Sequence, residues 1–287
     1  MPLADLLANV SIETSPRDGD DAARLAEIVP AGCEVSITFL PGEDYRRVIE
    51  VAKRLGGLGY TPMPHISARA LQSREELDDM LGRAVGEAGC DRVLVLAGDA
   101  PKPRGPFGAS MDLLKTGLFA RHGIRMLGFA GHPEGNVNVP TGEIRQALLD
   151  KIAFARAEGH EPTVLTQFAF EAAPIVAFAK DLADNAGGVP IHVGVAGPAN
   201  PATLLKFALR CGVGNSVRVL QKRAGSIGRL LVDAGPDDLI AEIAASASGN
   251  IVGFHFFPFG GMKKTGAWLV AARRGAAASK SESRSNP

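Results

Sequence analysis

Short apolar runs rich in β-branched residues recur along the chain, and longer stretches of helical period separate them. The runs are "NVSIE", "CEVSITF", "YTPMPHI", "RVLVLAG", "IRMLGFAG", "PTVLTQF", "VPIHVGV" and "GNIVGFHFF". Between them lie segments such as "EDYRRVIEVAKRLGGLG", "SREELDDMLGRAVGEAG", "GEIRQALLDKIAFARAEG" and "PATLLKFALRCG", which end in glycine as helix C-caps do. Ser73, with Glu76 three residues on, marks a helix start of the capping-box kind. Strands alternating with helices must pair in parallel through right-handed crossovers. At 287 residues, the length of a closed (β/α)₈ barrel is a better fit than two open sheets. The expected organisation is therefore one α/β TIM-barrel domain over 1–274. The small, polar "GAAASKSESRSNP" at 275–287 is expected to be a disordered tail.

In such a barrel the loops after the strands surround a common mouth, so polar residues at strand ends converge there. Glu13, Thr38, His65, Asp99, His132, Gln167 and His255 are read as the ends of strands one to six and eight. Each has a plain alternative: a carboxylate can cap the next helix, and a histidine can be a satisfied core residue. Their joint placement at one rim is what favours a site.

Several chemistries lack their residues. No GxxxxGK[ST] phosphate loop, GxSxG elbow, HExxH or dinucleotide glycine fingerprint is found, so the expected metal content is none. Lys+Arg and Asp+Glu number 31 each, which leaves no basic excess for nucleic acid. Cys33, Cys90 and Cys211 are widely spaced and read as reduced core thiols. With no signal-like N-terminus and no long apolar span, the expectation is a soluble cytoplasmic protein without membrane contact. A homo-oligomer, with a dimer as the first guess, suits a barrel of this size. What remains is a mouth of acids, amides, imidazoles and aromatics suited to proton and hydride chemistry on a flat ligand.

Four segments carry a family resemblance. "VSIETSPR", "VLAGDAP", "GFAGHPEG" and "LTQFAFE", in this order, with "FHFFPFGG" near the end, resemble the motifs of methylenetetrahydrofolate reductases over nearly the whole chain to Gly261. The resemblance implies a (β/α)₈ barrel that interconverts 5,10-methylenetetrahydrofolate and 5-methyltetrahydrofolate, with FAD at the mouth and NAD(P)H as hydride donor. It implies that Glu13 is the general acid and that Asp99 faces both flavin and pterin. Thr38, His65, His132 and Asn136 fall on cofactor-contacting positions, and Gln167, Thr203 and Phe207 on substrate-contacting ones.

The departures from that pattern concern charge. Ala97 and Asn136 stand where the family has an arginine and a histidine, and no lysine matches near Ala155 and Arg156. Gly261 stands in place of an arginine and Thr203 in place of a glutamine. The changes at Ala97, Asn136 and 155–156 predict weaker FAD binding unless Lys102, Arg104 or Lys151 substitutes, and those at Gly261 and Thr203 bear on the folate tail or the nicotinamide. Lys263 and Lys264 are candidates for a glutamyl carboxylate. Three other readings stay open: direct hydride transfer from NAD(P)H without flavin, a folate-binding or methyl-transfer partner without reductase activity, and a flavin barrel acting on an amino acid or imine.

Overall fold

Pleated strands place alternate residues on opposite sides, so a closed barrel must fill two distinct spaces from one alternating sequence. The computed structural model describes residues 2–17, 29–30, 32–137, 139–213, 235–246 and 249–285, without the side chains of 279–285. The strands are β1 Val10–Thr14, β2 Glu34–Ile37, β3 Thr61–Ser67, β4 Arg92–Leu96, β5 Met126–Gly131, β6 Glu161–Thr166, β7 Ile191–Ala196 and β8 Ile251–Phe257. They close in sequence order, and every neighbouring pair, including β1 with β8, is parallel. The chain is a (β/α)₈ TIM barrel.

The described helices are α1 Leu3–Ala8, α2 Tyr45–Gly57, α3 Arg74–Gly86, α4 Ser110–Leu114, α5 Leu118–Arg121, α6 Thr141–Ala157, α7 Ala172–Asn185, α8 Pro201–Arg210, α9 Asp237–Ser246 and α10 Met262–Ser285. Local signals fix their ends. The Ser73 hydroxyl accepts the Glu76 amide at 3.2 Å at the start of α3, while the Glu76 carboxylate reaches back to the Gln72 amide. Gly89 and Gly159, with φ of +64° and +82°, end α3 and α6 in left-handed backbone. The turn read at "CGVGNS" lies partly outside the described residues.

The outward strand residues, Val35, Ile37, Val93, Val95, Leu127, Phe129, Val193, Val195, Phe254 and Phe256 among them, are fully buried in the large core between sheet and helices. Each buried aliphatic or aromatic side chain contributes about 1.5–3 kcal/mol, so this layer holds the helices on. The inward residues divide into two halves. Met63, Leu94 and Leu165, with Leu96 against them, pack as an apolar cluster inside the barrel. Gly128 makes room for it: a Cβ there would stand 2.2 Å from Met63 Cε and 2.8 Å from Leu94 Cδ1. On the opposite side β1, β2, β7 and β8 turn Ser11, Glu13, Ser36, His192 and His255 inward, with His65 of β3 beside them.

Two expectations need correction. The segment from Gly275 continues α10 to Ser285, because its alanines favour extension of an existing helix over disorder; residues 286–287 lie outside the described part. Strands three and eight do not end at His65 and His255 but run on to Ser67 and Phe257, so both histidines are interior residues, 5% and 1% exposed.

Candidate functional site at the barrel mouth

The site is best built outward from Glu13. In β1 it shares a side with Ser11, and its register partner on β2 is Ser36. Its side chain keeps 23% exposure, and its carboxylate oxygen lies 4.0 Å from His65 Nε2. That imidazole nitrogen is 2.8 Å from the Ser36 hydroxyl. Burial pulls the His65 pKa down to about 3, so the ring is neutral and gives the carboxyl no cationic partner. Burial pushes the Glu13 pKa up to about 7, because the charged form loses solvation without a charge to replace it. An acid that keeps its proton at neutral pH can give it away there.

The other expected residues fall at the same end of the barrel, in varied settings. Thr38 directly follows β2, and its amide donates to the Thr14 carbonyl at 2.9 Å. His132 directly follows β5; burial and the nearby Lys151 ammonium both lower its pKa. Among the described residues four buried side-chain polar atoms lack a hydrogen-bond partner: Thr14 Oγ1, Thr38 Oγ1, His132 Nδ1 and His192 Nδ1. The first three sit at the C-terminal ends of strands. An unmet buried hydrogen bond costs about 1–3 kcal/mol, which a ligand's polar atoms would recover at the inward Thr38 and His132, whereas Thr14 alternates with Glu13 and faces outward. Gln167 follows β6; its amide donates to Gly131 O at 2.7 Å and its side-chain oxygen accepts from the Phe168 amide at 3.1 Å. Asp99 lies three residues beyond β4 and is exposed.

Helix α8 brings further parts to the rim. Asn200 caps it by accepting the Thr203 amide at 2.8 Å, so Thr203 sits in its first turn. Phe207 stacks on Phe259, with centroids 4.0 Å apart and planes at 14°. Phe259 in turn lies near-parallel to Phe257 and edge-on to Phe168. The helix ends against the loop after β5, where Val137 N–H donates to Gly212 O at 3.4 Å beside Asn136. Cys211 stands here. Burial pushes its thiol up to about 11, and the charges of Asp99 and Glu13 push the same way, so both carboxyls lie within electrostatic reach of one sulfur. The expectation of three core thiols holds for Cys33 and Cys90, but Cys211 is only half-buried because α8 leaves its end at the rim.

The sequence reading missed Ser36, Phe259 and the placement of Cys211. Ser36 had a signal, a polar residue at an inward position of an otherwise apolar strand. Phe259 had none, since its stacking depends on where α8 lies.

Among the described residues the candidate cations are poorly placed for a flavin's pyrophosphate. Lys102 and Arg104 are exposed on the loop after β4, where a phosphate contact is screened by water. Arg69 is committed to the carbonyls of Gly108 and Ala100. Lys151 is turned to Phe129, its ammonium 5.4 Å from the ring centroid, and burial lowers its pKa to about 8. Among the described residues no group of three or more His, Cys, Asp or Glu side chains is placed to hold a metal ion. No described helix is long and apolar enough to cross a membrane.

No protein-family model matches the chain. Among solved structures, a type I 3-dehydroquinate dehydratase from Clostridium difficile, with covalent modified comenic acid, is similar over 64% of this chain and 74% of its own. The identity is 11% and the TM-score 0.41. A likeness of that size says nothing about the chemistry at the mouth.

Proposed function

We propose that this barrel is an oxidoreductase of the methylenetetrahydrofolate reductase kind, in which Glu13 supplies a proton and a hydride reduces the one-carbon unit. The observation that carries the reading is the setting of Glu13: a carboxyl at the mouth, short of solvent, 4.0 Å from a neutral imidazole, and with its pKa raised to about 7, so that a large share holds its proton at neutral pH. Protonation of the ring nitrogen of 5,10-methylenetetrahydrofolate breaks its bond to the methylene carbon and leaves a cationic iminium. Hydride addition to that carbon gives the methyl group, so each turnover consumes one hydride and one proton. The exposed Asp99 carboxylate favours the cationic iminium. Gln167 supplies an amide to the heterocycle edge, Phe207 a ring face, and Thr203 a position beside it. Thr38, His65, His132 and Asn136 are assigned to whatever brings the hydride.

FAD, if bound, relays hydride from NAD(P)H. A second version, direct transfer from NAD(P)H, is favoured by the exposure of Lys102 and Arg104 and by the commitment of Arg69 and Lys151 elsewhere. Visible absorbance of the purified protein separates the two: a colourless preparation that reduces methylenetetrahydrofolate with NADH, without added FAD, excludes the flavin version.

The test of the reading itself is Glu13→Gln. Removing a positioned general acid lowers rates by about 10²–10⁴-fold. The variant is expected to fold, to retain folate affinity by calorimetry, and to lose reduction by at least that lower factor. Turnover equal to the parent protein's would contradict it.

A further inference from the structure

The segment 97–109, between β4 and α4, is longer than the roughly 2–6 residues usual for such a connection. A long loop does not by itself hold a side chain still, because ordering each residue costs backbone entropy. This one carries Asp99. It is fastened to the short 3₁₀ turn Ala68–Ala70 that follows β3, and chiefly to one residue of that turn. The Arg69 amide donates to Ala97 O at 2.9 Å, and the Arg69 carbonyl accepts the Arg104 amide at 3.1 Å. Its guanidinium adds two bonds: Nε donates to Gly108 O at 2.9 Å and Nη1 to Ala100 O at 3.3 Å. Arg69 thus holds the carbonyls on both sides of Asp99, as well as the middle and the far end of the loop.

The backbone path agrees with a seated loop. Gly105 lies directly on the chain after the turn, where a Cβ would stand 2.2 Å from the Gln72 carbonyl oxygen. Gly98, next to Asp99, takes a φ of +89°, and a Cβ there would stand 3.2 Å from Ser67 Cβ. Ser67 is itself fixed, its hydroxyl donating to Phe39 O at 3.1 Å. At the other end the Asp112 carboxylate accepts the Gly108 and Ala109 amides at 2.8 and 2.9 Å. Among the described residues the Arg69 guanidinium is paired with no carboxylate; its charge goes to main-chain carbonyls, where it shapes backbone. The Asp99 charge in turn reaches Cys211 across the rim, as the Glu13 charge does.

Resting on the reductase reading above, we propose that Arg69 is a positioning residue, which presets the backbone on both sides of Asp99 so that its carboxylate stands at the mouth before the ligand arrives. Arg69 touches no reacting atom in this role. A charge already fixed where the cationic iminium develops needs no reorganisation during the reaction, whereas one on a free loop must be ordered each time.

The test uses the full chain with methylenetetrahydrofolate and NADH, plus FAD if the protein holds it, and compares the parent, Arg69→Met, Asp99→Asn and the double variant. Arg69→Met keeps the side-chain stem and removes both guanidinium bonds; Arg69→Lys, which can reach one carbonyl but not both, carries the test if the first variant does not fold. Misplacing a catalytic group by about 1 Å costs up to about 10²-fold, so Arg69→Met is expected to lower kcat at least about tenfold. The folate KM is expected to stay within about twofold, since Gln167 and Phe207 still hold the ligand. In the Asp99→Asn background the same substitution is expected to cost less than about twofold, because the carboxylate that it positions is gone. A merely structural role would lower both backgrounds alike. That result, or an unchanged kcat in Arg69→Met, would overturn the proposal and leave the reductase reading standing.

A second readout does not depend on reduction. Alkylation of Cys211 by iodoacetamide at pH 8.5 is expected to rise in Arg69→Met by up to roughly twofold, as the Asp99 charge moves away, with no further rise in the double variant. A rate equal to the parent's would overturn the positioning of Asp99 whatever the activity. Absence of reduction by the parent, with the Cys211 rise present, overturns the reductase reading and leaves the positioning in place.

Discussion

Glu13 and Glu34 stand on neighbouring strands, face the same interior, and meet opposite fates. Near the floor, Glu34 accepts from Arg92 Nη1 at 3.0 Å, and Arg92 Nε donates to Asp91 at 2.8 Å. Asp91 also takes Arg125 at 2.8 Å, and Arg125 reaches Glu161 at 2.6 Å. Four elements are tied across the floor by this chain of charges. At the mouth Glu13 has no cation among the described residues, only a neutral imidazole. The same residue type is a structural tie where its charge is matched and a carboxyl of raised pKa where it is not. This agrees with the division of labour in such barrels, in which the N-terminal face serves stability and the C-terminal face chemistry.

The sharpest way to break that comparison is to remove a tie at the floor. Arg92→Met leaves Glu34 and Asp91 without their shared partner in a half-buried setting. A loss of about 4 kcal/mol in urea unfolding is expected, with the first-turnover rate of the folded fraction unchanged. If the first turnover fell along with stability, the two ends would not be separable.

A somewhat smaller effect comes from Glu13 itself. Its folded pKa, about 7, lies above its unfolded value of 4.5, so the folded state holds the extra proton between them. Stability on this account is fully present below about pH 4.5 and is lost as pH rises through 7. Glu13→Gln removes the loss, so above pH 8 it is expected to exceed the parent by roughly 3 kcal/mol and to match it near pH 4. His65 and His255, both lowered to about 3 from 6.5, act with the opposite sign: their contribution is present above pH 6.5 and fades as pH falls. They are common to both proteins and cancel in the difference. A difference flat across pH 4–8 would mean that Glu13 is solvated like a surface acid.

The smallest effect sharpens the geometry of the mouth. Asp99→Asn removes one of the charges that push the Cys211 thiol up. Alkylation of Cys211 by iodoacetamide at pH 8.5 is expected to rise roughly twofold, while the buried Cys33 and Cys90 stay slow. An unchanged rate would detach Asp99 from the site.

How far the sequence could be read differs between fold and site. All eight apolar runs are strands of the closed barrel, because β-branched alternation and capped helices are local properties that packing reinforces. The tail was misread for the opposite reason: small residues followed by "SKSES" look like a linker, yet Ala276–Ala278 lie on a helix already nucleated upstream. Within the site, Glu13, Thr38, His132 and Gln167 were legible as residues at or just past strand ends. His255 was placed at an end although the strand runs two residues further, since "HFF" gives no sign of which phenylalanine closes it. Of the neighbours of Glu13, His65 was legible as a member of the same rim, but Ser36 was not.

The sequence by itself determined the alternation, and with it the barrel and the end at which polar residues gather, because hydrophobic period and chain connectivity act over a few residues at a time. Only the tertiary structure decided that Ser36 and His65 stand beside Glu13, that Phe259 backs Phe207, and that Glu34 at the floor is paired with a cation while Glu13 at the mouth is not. Those facts depend on register between strands and on burial, and both are set by closing the barrel over residues far apart in the chain.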